Sequence, residues 1–337
     1  MPPEAAEGGG TRTWRSKWPL AGGALAGLVL RIVFSGGWGA PYTAMMASFV
    51  LLAPVLVGAV AVYLAERTQR RTWGYYFTAG ASANALFVLG TLLILIEGFI
   101  CVILALPLFA LLGGLSGLIA GAVCRFTVRA HRAVAGVAAL PLLLGAVERH
   151  IPLPREIDEV SNTLFVAAPP EDVWAALLDA PQIEAHEIGA AWMYRIGVPL
   201  PLSAVTERRG TALVRHIAMA KNVHFDQVAE DWLALRRVRW TYRFAPDSFP
   251  PGALDDHVRI GGEYFDVADT EYTLEPAPGG TRLGVRMGYR VSTHFNWYAR
   301  PIAWLLVRDF EGAALHFYAG RAELANNRAP ARRTLPQ

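Results

Sequence analysis

The chain has 337 residues, long enough for two or three domains that each bury a core. A hydrophobic fraction of 53% with only 18% charged residues excludes a plain water-soluble enzyme, and the net charge of +3 hides an uneven split. Residues 1–150 hold 11 Lys/Arg against 5 Asp/Glu, whereas residues 151–337 hold 20 against 23, so nucleic acid is excluded as an expected partner of the second part.

The N-terminal 1–18 is a polar, Gly-rich tail that turns basic at Arg12, Arg15 and Lys17. More apolar runs follow the first, so that run reads as a retained span and not as a cleaved signal peptide. A helix needs about 20 apolar residues to cross roughly 30 Å of hydrocarbon. Stretches 20–34, 43–64, 75–96 and 99–123 meet or approach that length. The first is short and carries Arg31 near its far end, where a long side chain snorkels to the interface. Glu97-Gly98 makes a tight turn between the third and the fourth. A fifth stretch, 133–147, is shorter and includes Pro141, which suits a short span, an interfacial helix or a buried connector. A transmembrane helical region over 19–148, with four or five spans, is expected.

Basic clusters precede the first stretch, follow the second (Arg67, Arg70, Arg71) and follow the fourth (Arg125, Arg129, Arg132). The loops 35–42 and 97–98 carry no Lys or Arg. This alternation predicts a cytoplasmic N-terminus in a bacterial inner membrane. Four spans leave the second part cytoplasmic and five leave it periplasmic; the mildly acidic flank 148–159 favours five. Arg31 and Glu97 are the only charges near or between the spans, and neither has an evident partner in the sequence. An anchor is therefore expected, not an ion path. Gly113, Gly114, Gly117 and Gly121 allow close helix packing. Both cysteines, Cys101 and Cys124, fall in apolar runs, so the second part has neither a disulfide framework nor a thiolate zinc site.

Past residue 150 the pattern changes. The run 160–167 predicts a strand, and Pro169-Pro170-Glu171-Asp172 opens a helix with Pro and acids in its first turn. Val173, Trp174, Leu177 and Leu178 give that helix an apolar stripe, and a short helix follows over 182–188. Strands are predicted near 203–208, 211–219, 223–232, 236–244, 262–275 and 281–292, the last two joined at Pro278-Gly279-Gly280. A helix over 295–326 closes the chain and presents Trp297, Ile302, Leu305, Leu306, Phe310, Leu315 and Phe317. The second part is thus α+β: a curved antiparallel sheet whose apolar face is covered by the long final helix. Val238, Trp240, Tyr242 and Phe244 share one strand face, as do Leu283, Val285, Met287, Tyr289 and Val291. The opposite faces carry Arg237, Arg239, Arg243, Arg282, Arg286 and Arg290, with Asp269, Glu271 and Glu275 on the strand between them. That arrangement suits a solvated charge ladder better than an anion patch.

Residues 160–178, the run Asp256-His257-Val258-Arg259-Ile260-Gly261-Gly262-Glu263-Tyr264-Phe265-Asp266, Tyr289-Arg290-Val291-Ser292-Thr293 and Asn296-Trp297-Tyr298 carry a resemblance. Over about 158–327 the chain resembles the SRPBCC superfamily, the helix-grip fold of START lipid-transfer domains, polyketide cyclases and birch-pollen-allergen-like proteins. More closely it resembles bacterial proteins that join a multi-span region to such a domain, with a disordered tail over 328–337. The resemblance implies an apolar ligand held between sheet and long helix, and no fixed catalytic set.

Trp240, Tyr242, His257, Glu263, Tyr264, Met287, Tyr289, Trp297 and Leu305 are the candidate cavity residues. A cyclase, dehydratase or hydrolase acting on a hydrophobic substrate would need a titratable group among His257, Glu263, Tyr264, Tyr289, His294 and Glu230. The inward face of 223–232 stays open, because Phe225 and Val228 fall on opposite sides. His186, His216, His224, His257, His294 and His316 form no HxH, HxxxH or HExxH pair, and GxSxG, GxGxxG and P-loop motifs are missing. No cofactor or metal is expected. The expected function is a membrane-anchored binding module for a lipid or other hydrophobic small molecule, not an enzyme. The alternatives are the enzyme just described and a membrane-tethered interaction domain without a cavity. The expected partners are the bilayer and the ligand.

Overall fold

The computed structural model describes residues 10–36, 42–127 and 130–333. Part of the N-terminal tail (1–9), part of the loop 35–42 (37–41), residues 128–129 with Arg129 of the third basic cluster, and the end of the C-terminal tail (334–337) lie outside the described residues. The chain divides into two compact units, Met1–Leu153 with Thr293–Phe295, and Pro154–Ser292 with Asn296–Gln337.

The first unit is helical: α1 (Gly10–Val33), α2 (Ala47–Glu66), α3 (Trp73–Leu93), α4 (Phe99–Phe126) and α5 (Ala130–Glu148). Among the described residues α2, α3, α4 and α5 are long and apolar enough to cross a membrane. The fifth stretch thus belongs to a full-length apolar helix, while α1, which begins inside the expected polar tail and carries Arg31, is not among the four. Close approach explains the small residues. A Cβ on Gly113 would lie 1.9 Å from Asn84 Nδ2, and one on Gly117 would lie 2.2 Å from the Tyr76 carbonyl oxygen. The Asn84 amide donates to the Pro54 and Gly80 carbonyls at 3.1 and 3.0 Å, tying α3 to α2. Arg31 and Glu97 do have partners, contrary to the expectation from sequence. Arg31 Nε donates to Glu97 Oε1 at 2.7 Å, with both side chains nearly covered, and Nη1 donates to the Phe34 carbonyl at 2.8 Å. A separation of 66 residues hides this pair from a linear reading.

The second unit is α+β. Its elements are β1 (Ile157–Val166), α6 (Pro170–Leu178), α7 (Ala185–Ile188), α8 (Trp192–Arg195), β2 (Pro201–Arg209), β3 (Ala212–Met219), β4 (His224–Ala229), β5 (Trp232–Leu233), β6 (Arg237–Arg243), β7 (Phe265–Ala277), β8 (Gly280–Val291) and α9 (Asn296–Arg333). The strands form an antiparallel sheet in the order β1-β8-β7-β6-β4-β3-β2, with β5 also on β6. Three features depart from expectation. The short helix α8 follows α7, and the strand predicted over 223–232 breaks into β4 and β5. Helix α9 also continues through 328–333, where a tail was expected.

Helix α9 covers the sheet through Val307, Glu311, Ala314, Leu315, Tyr318 and Ala322, which recur at helical spacing and are all buried. Side chains at its margins hold it in place. Arg321 Nε donates to Glu187 Oε1 at 2.9 Å, Asp309 accepts from the Trp192 amide at 2.6 Å, and Glu323 accepts from the Ala167 amide at 3.0 Å. The outer sheet face carries the charge ladder: Arg239 pairs with Asp269, Arg286 with Glu159 at 2.8 Å and Arg237 with Glu271 at 3.8 Å.

Candidate functional site

Cross-strand register builds the interior of the helix grip row by row. Arg215 on β3 stands opposite Gln227 on β4, and Gln227 stands opposite Tyr242 on β6. One step along, Trp240 on β6 faces Thr270 on β7, Thr270 faces Met287 on β8, and Met287 faces Val160 on β1. The first row is polar and the second mainly apolar. This register settles the face of β4: Gln227 points inward, and Glu230 lies outside, exposed, 3.3 Å from Arg243.

Arg215 is buried, with 3% of its surface exposed. The Gln227 carbonyl oxygen accepts from its Nε at 2.7 Å and also from Nη2. Nη1 donates to the Leu177 carbonyl at the end of α6 (2.9 Å) and to the Tyr318 hydroxyl (3.3 Å). The guanidinium carbon sits 4.3 Å from the centroid of the Trp240 ring. Tyr272 meets Tyr318 edge-on at 5.4 Å, and the Tyr242 hydroxyl pairs with Thr270 Oγ1 at 2.7 Å. Tyr194, on α8, packs edge-on against Phe310 of α9 at 6.3 Å. Burial raises the pKa of Tyr194, Tyr242 and Tyr272, so all three phenols stay protonated. Tyr194 and Tyr242 nevertheless keep accessible surface.

A second buried polar group lies further along α9. Glu311 has no accessible surface, and among the described residues neither carboxylate oxygen makes a well-formed hydrogen bond, the Met287 amide being the backbone donor directed at it. Desolvation pushes its pKa up to about 7, against weaker opposing pulls from the Met287 amide and Arg308. The nearby Tyr289 is buried as well. Desolvation, with the Asp158 charge adding to it, pushes its phenol up to about 12.

The residues singled out from sequence divide sharply. Trp240, Met287 and Tyr289 are buried and Tyr242 is half-buried, all within the core beneath α9. His257 and Tyr264 meet edge-on at 5.8 Å in the 244–264 connection. Glu263, Trp297 and Leu305 are exposed, Trp297 and Leu305 by 60% and 59%, so these three do not line the interior. The helical stripe that grips the sheet is set by 307, 311, 314, 318 and 322, and residues 297 and 305 fall off it. His294 belongs to the first unit, where its Nδ1 lies 2.8 Å from Glu148 Oε1. Sequence reasoning missed Arg215, Gln227, Tyr194, Tyr272, Tyr318 and Glu311. Spacing carried a signal for Glu311, which sits in the middle of the Val307–Ala322 stripe. Arg215, beside Leu213 and Val214 on a strand buried at consecutive positions, carried none.

No protein-family model matches the chain, and no curated protein matches it in sequence. Solved structures similar to it include the Zhui aromatase/cyclase from Streptomyces (16% identity, covering 50% of this chain and 94% of that one, TM-score 0.33). The protein TTHA0849 from Thermus thermophilus is 18% identical over 50% of this chain and 99% of its own, with a TM-score of 0.32. The di-domain ARO/CYC StfQ from the steffimycin biosynthetic pathway is 14% identical over 60% of each chain, with a TM-score of 0.31.

Proposed function

We propose that the protein is a membrane-anchored binding protein whose helix-grip domain holds an apolar small molecule between the sheet and α9. The observation that carries this reading is the polar row Arg215–Gln227–Tyr242, set into the otherwise apolar core beneath α9. Trp240, Met287 and Tyr289, packed in the same core, give that row apolar surroundings, and apolar side chains with a few polar groups are the usual make-up of a ligand site. The apolar helices α2–α5 anchor the chain in a bacterial inner membrane with the basic segments after α2 and α4 inside, which shortens the path of a bilayer-soluble ligand to the domain. Native mass spectrometry of the full chain, released from lipid nanodiscs, tests the reading. A discrete added mass that extracts into organic solvent is expected. A chain that carries no such mass and takes up no apolar probe would sink it.

One observation favours a second reading, an enzyme acting on a hydrophobic substrate. Glu311 is a fully buried carboxyl with a pKa near neutrality, the property of a general acid or base, and Tyr289 lies close to it. Turnover of a bound hydrophobic ketone or ester that disappears in Glu311→Gln, with ligand binding intact, would select this reading over pure binding.

A further inference from the structure

Arg215 presents a physical problem that its neighbours do not solve. A guanidinium does not deprotonate inside a protein, so burial cannot neutralise it as it would a lysine. Its contacts are the Gln227 amide, the Leu177 carbonyl, the Tyr318 hydroxyl and the Trp240 ring, all of them neutral. Among the described residues no carboxylate stands within ion-pair distance, and no other Lys or Arg of the helix-grip domain is buried. The Leu177 contact completes the C-terminus of α6, where a cation is favoured, but a carbonyl dipole offsets only part of a buried charge. A second unsatisfied group stands at the same place. The Trp240 indole N–H is fully buried, in the ring that Arg215 overlies, and has no hydrogen-bond partner among the described residues. An orphaned donor beside an unneutralised cation calls for one species, an anionic acceptor.

We infer that the ligand of the helix-grip domain is an amphiphile with a single carboxylate, whose charge is met by Arg215 and the Trp240 indole N–H while its apolar part packs among the apolar side chains beneath α9. One buried cation matches one negative charge, whereas a phosphate monoester near its dianionic form would bring an excess charge into the interior. This inference rests on the binding reading above and names the class of molecule bound.

The test uses the full chain in lipid nanodiscs, with empty nanodiscs as the reference for partition into lipid. Calorimetric titrations with dodecanoate, dodecanol and dodecyl phosphate at about pH 8 compare one tail with three head groups. Dodecanoate is expected to bind about tenfold or more tightly than dodecanol, and more tightly than dodecyl phosphate. In Arg215→Gln the affinity for dodecanoate should fall to that for dodecanol, with dodecanol unchanged. Arg215→Lys should keep most of the preference, and Trp240→Phe, which keeps the ring and loses the N–H, should lose part of it. Equal affinities for acid and alcohol in the parent chain overturn the inference and leave the binding reading standing. So does a preference that survives Arg215→Gln, or tighter binding of the phosphate. If none of the three binds, the binding reading fails along with it. Should Arg215→Gln fail to fold, the parent comparison and Trp240→Phe decide.

Discussion

Among the described residues each half of the molecule buries one arginine, and the two are treated in opposite ways. In the helical unit Arg31 meets Glu97 at 2.7 Å, so the buried charges sum to zero. In the helix-grip domain Arg215 is covered as completely, yet every group that touches it is neutral. The first arrangement is closed: it serves packing, and nothing further is needed to satisfy it. The second is open: its hydrogen bonds are made, its charge is not balanced, and a neighbouring indole N–H is left over. A region built to hold itself together and one that, under the proposed function, holds a ligand leave different electrostatic accounts.

That contrast breaks most visibly at Arg31. Arg31→Met removes the guanidinium that faces Glu97 in a nearly covered site, and losing one partner of a buried pair costs about 3–5 kcal/mol. The expected outcome is a large drop in the melting temperature of the chain in nanodiscs, followed by near-UV circular dichroism. Adding Glu97→Gln to Arg31→Met should recover most of the loss, because both charges of the pair are then gone. A double variant as unstable as the single one would show that packing around Arg31, and not charge, is what matters.

Glu311 ranks next. Its folded pKa of about 7 lies above its ordinary value of 4.5, so its contribution to stability is fully present below pH 4.5 and is lost as pH rises through 7. Glu311→Gln stays neutral at every pH. Relative to the parent, it should gain with rising pH and reach an advantage of about 2–3 kcal/mol near pH 8, leaving a flatter stability profile. Parallel profiles for the two chains would mean that the carboxylate finds a partner when it ionises.

How far such features were legible in the sequence follows from what periodicity encodes. Strand alternation identified the faces of β6 and β8, and with them Trp240, Tyr242, Met287 and Tyr289, because a period of two assigns a side to each residue. It failed on β3, where Leu213, Val214 and Arg215 are buried in succession and no polar face remains to mark the orientation. The final helix failed differently. Its apolar residues outnumber those that one stripe can hold, so Trp297 and Leu305 looked like core, while the gripping stripe runs through the charged Glu311. Pairing between distant positions, as in Arg31 with Glu97 or Arg215 with Tyr318, depends on tertiary contact and leaves no local pattern.

A smaller loss is expected at Arg215 itself. Arg215→Met leaves the Gln227 amide and the Leu177 carbonyl without their donors, but it strands no opposite charge. Unpaired neutral groups cost about 1–2 kcal/mol, partly offset by removal of a desolvated cation. Thermal unfolding of the ligand-free chain should therefore place this variant above Arg31→Met. A loss as large as that of Arg31→Met would make Arg215 a structural strut and remove the contrast between the two halves.

The smallest effect belongs to the outer sheet face. His216 Nδ1 lies 2.7 Å from Asp226 and Nε2 lies 3.2 Å from Glu207, and these two hydrogen bonds, Asp226 first, raise its pKa above 6.5. Its contribution has the same sign as that of Glu311: fully present below pH 6.5 and lost as pH rises through the raised value. The causes differ. His216 is held by exposed charges that salt screens, and its side chain is 43% exposed, so the effect is about 0.5 kcal/mol or less. Glu311 responds to desolvation, which salt does not relieve. In the Glu311→Gln background, the slope of stability between about pH 6 and 9 should be shallow at low salt and vanish at about 1 M salt. It should also vanish in Glu311→Gln combined with His216→Asn. A slope that survives both treatments would have to come from a further titrating group inside the helix grip, where electrostatics are open, and not from the screened ladder outside it.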